Sequence, residues 1–434
     1  MPEQSPPRDS APPPIVGRTS AIRALGNRNY RLFFGGQGIS LVGTWMQNLA
    51  LQWLVWQLTK NPLWLGVLGF SSQILSFAVA PFAGVVADRW RKHRLLLWTQ
   101  SLSLVQAGVL ALLVFTGWVQ FWHVLVLAAF LGLVNGFDIP IRQSFVVEML
   151  ERREDLPNAI ALNSFIFNGA RLIGPVIAGV LIYYVGEANC FLINAISYLA
   201  VLAALLMMRF NPAAKRKMPP RHVWDALREG YNYAFGFEPI RDMLLLLAAI
   251  GLVGHQYQSL MSAFADHTLH GGAKTYGWLV SSVGFGALLG AVYLARRRSV
   301  LGLDRVIGLA PILLGFSLIG LAYCRYVPLA LGLLVLLGFG VMTQMASTNT
   351  LLQSMIDDDK RGRVMSFYTL SFVGTAPFGS LWIGHFAARY SIPSAYFVSG
   401  CLCIVCGLVF LARLGRFRQA AQPVYERLGL IKRN

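Results

Sequence analysis

Apolar stretches of about 20 to 30 residues follow one another along this chain, parted only by short charged gaps, and few folds accommodate that pattern. A helix needs about 20 apolar residues to cross bilayer hydrocarbon, where every backbone N–H and C=O must be bonded within the structure. On that basis the sequence predicts twelve spans, over about 32–58, 63–87, 95–117, 121–147, 157–185, 188–209, 241–267, 275–296, 303–323, 328–355, 364–390 and 393–413. Several exceed the bilayer thickness, so they must tilt or emerge from it. The fold class expected is an all-α membrane protein with two six-helix halves.

Charge sets the orientation. The chain is 13% charged and 56% hydrophobic, whereas soluble domains are about 25% charged. A net charge of +18 would suggest nucleic acid in a soluble protein, but here the bases fill the gaps between apolar runs, which argues against that partner. Lys60, Lys274, Arg325 and Arg389 fall on the other side, in or beside odd-numbered connections, and Arg142 and Arg171 lie inside spans. The rest of the 37 lysines and arginines fall in the tails, in the even-numbered connections or at the span ends that adjoin them. Since basic residues gather on the cytoplasmic side, both termini are expected there.

The organisation follows. Residues 1–30, with Pro12-Pro13-Pro14, read as a disordered cytoplasmic tail without a cleavable signal peptide. The six-helix halves occupy 31–210 and 241–413, and 414–434 form a cytoplasmic tail. The basic linker 211–240 carries an amphipathic stretch, His222 to Phe235, suited to lie on the lipid surface. A weak repeat relates the halves: Phe130-Leu131-Gly132 parallels Leu336-Leu337-Gly338. Cys401, Cys403 and Cys406 are spaced like metal ligands but sit in an apolar run without an adjacent His or acid, so they read as packing residues and no cofactor is expected.

The gap between the second and third spans, Gly84 to Arg94, holds one acid among five bases and must lie at the water boundary. Gly84-x-x-x-Asp88-Arg89-x-x-Lys92 resembles the signature of the major facilitator superfamily, with Arg91 where that signature usually has glycine. Asn29-Tyr30-Arg31 with Gly43-Thr44-Trp45, and Asp138-Ile139-Pro140-Ile141-Arg142, resemble its enterobactin-exporter-like branch, the transmembrane secretion effector proteins. Ala170-x-x-x-Gly174-Pro175 is similar to the antiporter motif of the superfamily's exporters. The resemblance covers about 25–413. It implies a monomeric secondary exporter of the bacterial inner membrane, moving a siderophore-like or drug-like molecule by alternating access with protons as coupling ion. Alternatives are a broad multidrug pump, a lysophospholipid transporter and, remotely, a non-transporting receptor.

Ionisable groups inside spans are costly, and so are functional candidates. Arg171 lies roughly 21 Å into the fifth span at 1.5 Å per residue, near the midplane. It either bonds a neighbouring backbone or pairs with an anionic substrate. His255, at similar depth, is a packed residue or a proton carrier. Asp138 and Arg142 stand one turn apart and are expected to pair, forming an inner gate with Asp88, Arg89 and Lys92, and with Glu148 in the same layer. Asp266 with His267 is an outer gate or an interfacial pair. Gln37, Asn48, Gln52 and Gln57 supply no acid to the first span, which leaves Asp138 or Asp266 for proton coupling. Trp45, Trp53, Gln344, Asn349 and Gln353 are expected to line a cavity for an aromatic or polar ligand.

Overall fold

The computed structural model describes residues 22–209, 231–297, 299–357 and 360–427, without the side chains of 81, 84, 85, 87–89 and 153. Helices α1 (Arg28–Thr59), α2 (Pro62–Arg89), α3 (Lys92–Phe115), α4 (Phe121–Phe145), α5 (Leu156–Val185) and α6 (Glu187–Met207) form a first bundle. A second contains α7 (Glu238–Thr268), α8 (Ala273–Ala295), α9 (Leu303–Tyr323), α10 (Val327–Met355), α11 (Arg361–Thr369 and Ala376–Arg389, joined by Leu370–Gly374) and α12 (Ile392–Ala412). Ten of these rods, all but α1 and α11, are long and apolar enough by length and composition to cross a membrane.

Local chemistry explains the helix ends. Asn61 accepts a hydrogen bond from the Leu63 N–H just ahead of α2, and Ser391 does the same for Ser394 at α12. Proline follows both caps in the first turn, where its missing N–H costs nothing. The observed ends lie within a few residues of those expected. Two rods are irregular where the sequence predicted continuous helix. In α7 the α-helix stops at Val253, continues as a 3-10 segment over His255–Leu260 and ends in a π turn over Phe264–Thr268. In α11 a π turn spans Leu370–Gly374.

The repeat has a packing meaning. A methyl group on Gly132 of α4 would lie 2.0 Å from the Ser72 carbonyl oxygen of α2. One on Gly338 of α10 would lie 2.1 Å from the Val283 carbonyl oxygen of α8. Both glycines let one helix rest on another's backbone at equivalent places in the two bundles.

Connections of one kind gather on one face, called here the basic face. Arg23 pairs with Asp155 at 2.6 Å, Lys92 with Glu148 at 2.8 Å, and Asn29 bonds Arg209, which ties together the ends of α1, α3, α4, α5 and α6. The sequence assigned residues 23–30 to a disordered tail, and that assignment is corrected. Arg23–Gly26 is a 3-10 turn, with Ala24, Asn27 and Tyr30 buried and the Tyr30 hydroxyl donating to the Ala159 carbonyl. Of the amphipathic stretch, 222–230 lies outside the described residues. Residues 231–236 are helical, and Tyr231 and Phe235 pack on Phe367 of α11.

The C-terminal tail contains a further helix, α13 (Leu414–Arg427), folded back under the second bundle. Phe417, Ala421 and Tyr425 are its buried face, and burial pushes the Tyr425 hydroxyl up to about 12. Arg418 Nε donates to the buried Asp304 carboxylate at 2.5 Å.

Gly132→Ala or Gly338→Ala forces a helix off its neighbour, and overpacking costs about 1–3 kcal/mol or more. Each variant is expected to melt earlier than wild type in detergent; unchanged melting would show that the crossing is loose.

Candidate functional site

The bundles meet along a seam that runs from the opposite face to mid-depth. At the outermost level, Lys60, in a left-handed conformation just past α1 (φ 47°), reaches across to Asp266 of α7 at 2.9 Å. The same carboxylate oxygen accepts from the Trp56 indole N–H at 2.7 Å. One turn deeper, Tyr276 of α8 donates to Gln52 at 3.2 Å and stacks on Trp53, ring centroids 6.1 Å apart. Trp53 is 6% exposed, so it packs in the seam.

Backbones touch on both flanks. A methyl group on Gly384 of α11 would lie 2.7 Å from the Gly66 Cα of α2, and one on Gly277 of α8 would lie 2.4 Å from the Pro175 carbonyl oxygen of α5. A polar chain crosses beside the first contact. Gln73 of α2 donates to Ser380 of α11 at 3.4 Å, and Ser380 donates to Gln256 of α7 at 2.7 Å. Ser281 of α8 donates to the Leu172 carbonyl of α5 at 2.7 Å. Gly174, one residue before Pro175, lies against the Trp45 Cβ, so this motif presses α5 onto α1 and α8.

Arg171 stands at the inner end of this seam, its backbone beside Gly284 of α8. Its guanidinium lies 5.8 Å from the centre of the Trp45 ring, and Trp45 in turn meets Phe167 edge-on at 5.9 Å. It makes no ion pair with a described carboxylate. Trp45, Asn48 and Gln52 share one face of α1 and are all at least partly exposed. Arg171 also lies within electrostatic reach of His255 and Tyr257.

The second bundle contributes polar atoms without partners. Both ring nitrogens of His255 are buried and unpartnered among the described residues, and the ring lies edge-on to Phe372 at 5.1 Å. His255 opens the 3-10 segment of α7, and Phe372 sits in the π turn of α11, so the two irregular stretches face each other. Such interruptions frequently mark functional sites. Gln344 and Ser347 of α10 are fully buried with unpartnered side chains, whereas Asn349 is half-buried and bonded to Gln353 one turn on.

Nearer the basic face, Asp138 is 3% exposed and pairs with Arg142 at 3.2 Å. It also accepts from Thr99 at 2.7 Å and Gln100 at 2.8 Å. This network joins α3 to α4 inside the first bundle. A second, Asn194 to Gln47 to Gln106, joins α6, α1 and α3. The side chains of Gly84, Asp88 and Arg89 lie outside the described residues. Thr99, Gln100, Ser103 and Gln106 escaped the sequence reading, although their spacing of three to four marks a polar stripe along α3. Lys60 appeared there only as an exception to the charge rule.

This fold and this interior are those of a major facilitator transporter. The chain matches the family described as transmembrane secretion effector over residues 19–426, and it belongs to that family. The staphyloferrin A transporter of Staphylococcus aureus is 24% identical over 389 residues, covering 88% of this chain and 95% of the relative. The multidrug efflux pump Tap of Mycolicibacterium fortuitum is 24% identical over 404 residues, covering 89% and 95%. Among solved structures, a POT peptide transporter superposes with a TM-score of 0.73 at 13% identity, covering 90% of this chain and 95% of that one. A bacterial homologue of the iron transporter ferroportin in an inward-facing state gives 0.69 at 17%, covering 89% and 98%. The chain is accordingly a secondary transporter that exports small molecules.

Removing one partner of a buried ion pair costs about 3–5 kcal/mol. Asp138→Ala is therefore expected to lose most folded protein, while Asp138→Asn, which can still accept from Thr99 and Gln100, retains it. Comparing monodisperse yield and melting of the two checks this, and equal losses would show that charge alone matters.

Proposed function

We propose that this transporter crosses the bacterial cytoplasmic membrane twelve times, α1 and α11 included, with the basic face and both termini in the cytoplasm, and that it expels an anionic small molecule by alternating access. The basic charge of that face supports the orientation. On this reading the seam closes the outer side and the transporter faces inward.

Arg171 is the observation that carries the substrate class. A guanidinium at mid-membrane is expensive unless paired. The Trp45 ring offsets part of that cost, about 0.5–2 kcal/mol for a cation over an aromatic face. Its N–H groups suit a carboxylate or catecholate, which they can engage through two parallel hydrogen bonds. The name of the staphyloferrin A transporter supports a siderophore as cargo. A multidrug reading rests on the Trp45–Phe167 pair and on the pump Tap.

Arg171→Ala is expected to lower export of an anionic siderophore by at least about tenfold, since a charge-assisted hydrogen bond contributes about 1.5–3 kcal/mol. Arg171→Lys, a point charge without the fork, recovers only part of it. Proteoliposome efflux of the siderophore and of a lipophilic cationic dye decides between the readings. Siderophore export unaltered by Arg171→Ala, together with export of the dye by wild type, favours the multidrug pump.

Asp266 is the proposed coupling carboxylate and outer gate. Once Lys60 withdraws, the carboxylate loses its counter-charge and takes up a proton from outside, which keeps the seam open. Because Lys60 is half exposed, the pair contributes only about 1 kcal/mol or less. Asp266→Asn is expected to raise labelling of Gln52→Cys by an impermeant thiol reagent from outside by up to about fivefold, and to remove pH dependence from transport. Labelling that stays at the wild-type rate counts against the gate.

A further inference from the structure

The second bundle carries a groove on its outer surface, away from Arg171 and the seam. It is a cavity of about 240 Å³ between the basic-face part of α7 and the end of α12. Leu245, Ala249, Cys406, Val409 and the buried Phe410 line it. Leu245 is 50% and Val409 53% exposed, so the slot opens sideways at the level of the apolar spans. Pockets that enclose drug-sized ligands measure about 300–1,000 Å³, so this one suits a slender apolar chain.

The mouth of the slot is charged. Asp242 and Arg413 line it, with Arg413 Nη1 3.7 Å from the Asp242 carboxylate. The same carboxylate oxygen is taken more closely by Arg241 Nε, at 3.2 Å, and Arg241 leans on Glu238 at 3.9 Å. Asp242 is thus shared, and the Arg413 side chain remains 55% exposed at the end of an apolar channel. This places one available guanidinium at the boundary between polar and apolar surface, one acyl slot below it.

We propose that this groove is a phospholipid site: one acyl chain of a bilayer phospholipid lies along Leu245, Ala249 and Val409, and its phosphodiester accepts hydrogen bonds from Arg413. The two parts contribute unequally. Lipid tails are already in an apolar medium, so the slot gains little from the hydrophobic effect and selects by shape. Affinity rests on the charge-assisted contact with phosphate. Basic pockets between helices on the cytoplasmic side are known to hold lipid head groups in this way.

Native mass spectrometry of the full-length protein in detergent tests the site, with phosphatidylethanolamine, phosphatidylglycerol and diacylglycerol of identical chains as probes. Wild type is expected to take one phospholipid saturably and to bind diacylglycerol at least about tenfold more weakly. Arg413→Gln is expected to lower phospholipid affinity by a similar factor. Val409→Trp, at an exposed position that tolerates bulk, fills the slot and abolishes the saturable adduct. The proposal is overturned if both variants bind phospholipid as wild type does, or if diacylglycerol binds as well as the phospholipids.

Discussion

Everything else in this structure depends on two bundles being pressed backbone to backbone, among the described residues, toward one end. In a membrane, apolar helices gain nothing from leaving lipid for one another, so association must come from close packing and hydrogen bonds. The seam supplies both. Gly66 with Gly384 and Gly277 with Pro175 remove the side chains that would hold α2 from α11 and α5 from α8. Gln73, Ser380 and Gln256 add a polar chain alongside. The contact is shallow, because dispersion between backbones falls away within about an ångström. A rocking motion can therefore break it without disturbing either core, as the proposed cycle requires.

The bundles differ in what they can do during such a motion. The first is cross-linked internally by polar groups that bond one another, Asp138 with Thr99, Gln100 and Arg142, and Gln47 with Asn194 and Gln106, with Gln100 Oε1 left without a partner among the described residues. Such a buried network resists deformation, since each bond lost strands a further polar atom in hydrocarbon. The second bundle holds the irregular stretches of α7 and α11 and the unpartnered atoms of His255, Gln344 and Ser347. It retains hydrogen-bonding capacity not yet used in this conformation.

Much of this was legible in the sequence. Length and hydropathy set the spans, because the bilayer imposes a fixed thickness on any helix that crosses it. The pairing of Asp138 with Arg142 needed only the helical repeat. The partners Thr99 and Gln100 did not follow, since they depend on the register between α3 and α4, which no single segment encodes. The breaks at His255 and Leu370 carry no proline within them, so composition gave no sign of them. Helix α13 looked like a tail because its apolar residues, Phe417, Ala421 and Tyr425, are too few for a span, although they recur every four residues. Lys60 shows what an exception can mean: a base outside the charge pattern of the other connections was the visible trace of a cross-bundle ion pair.

The position of Arg171 places a condition on any substrate of the proposed cycle. The residue stacks on Trp45 of its own bundle, so the cation travels with α1 and α5 whichever way the transporter faces. An anion bound to Arg171 alone would be held equally in both conformations, and a ligand without differential affinity shifts no equilibrium. Turnover therefore needs a second contact that changes as the bundles rock. His255, part of α7 and with both ring nitrogens unpartnered among the described residues, is a polar group of the second bundle suited to supply it. Its nitrogens are buried in this conformation, so they become available only if the 3-10 segment of α7 rearranges. On this reasoning the break in α7 lets the substrate be sensed by both bundles, and Arg171 serves as the fixed anchor from which that sensing is measured.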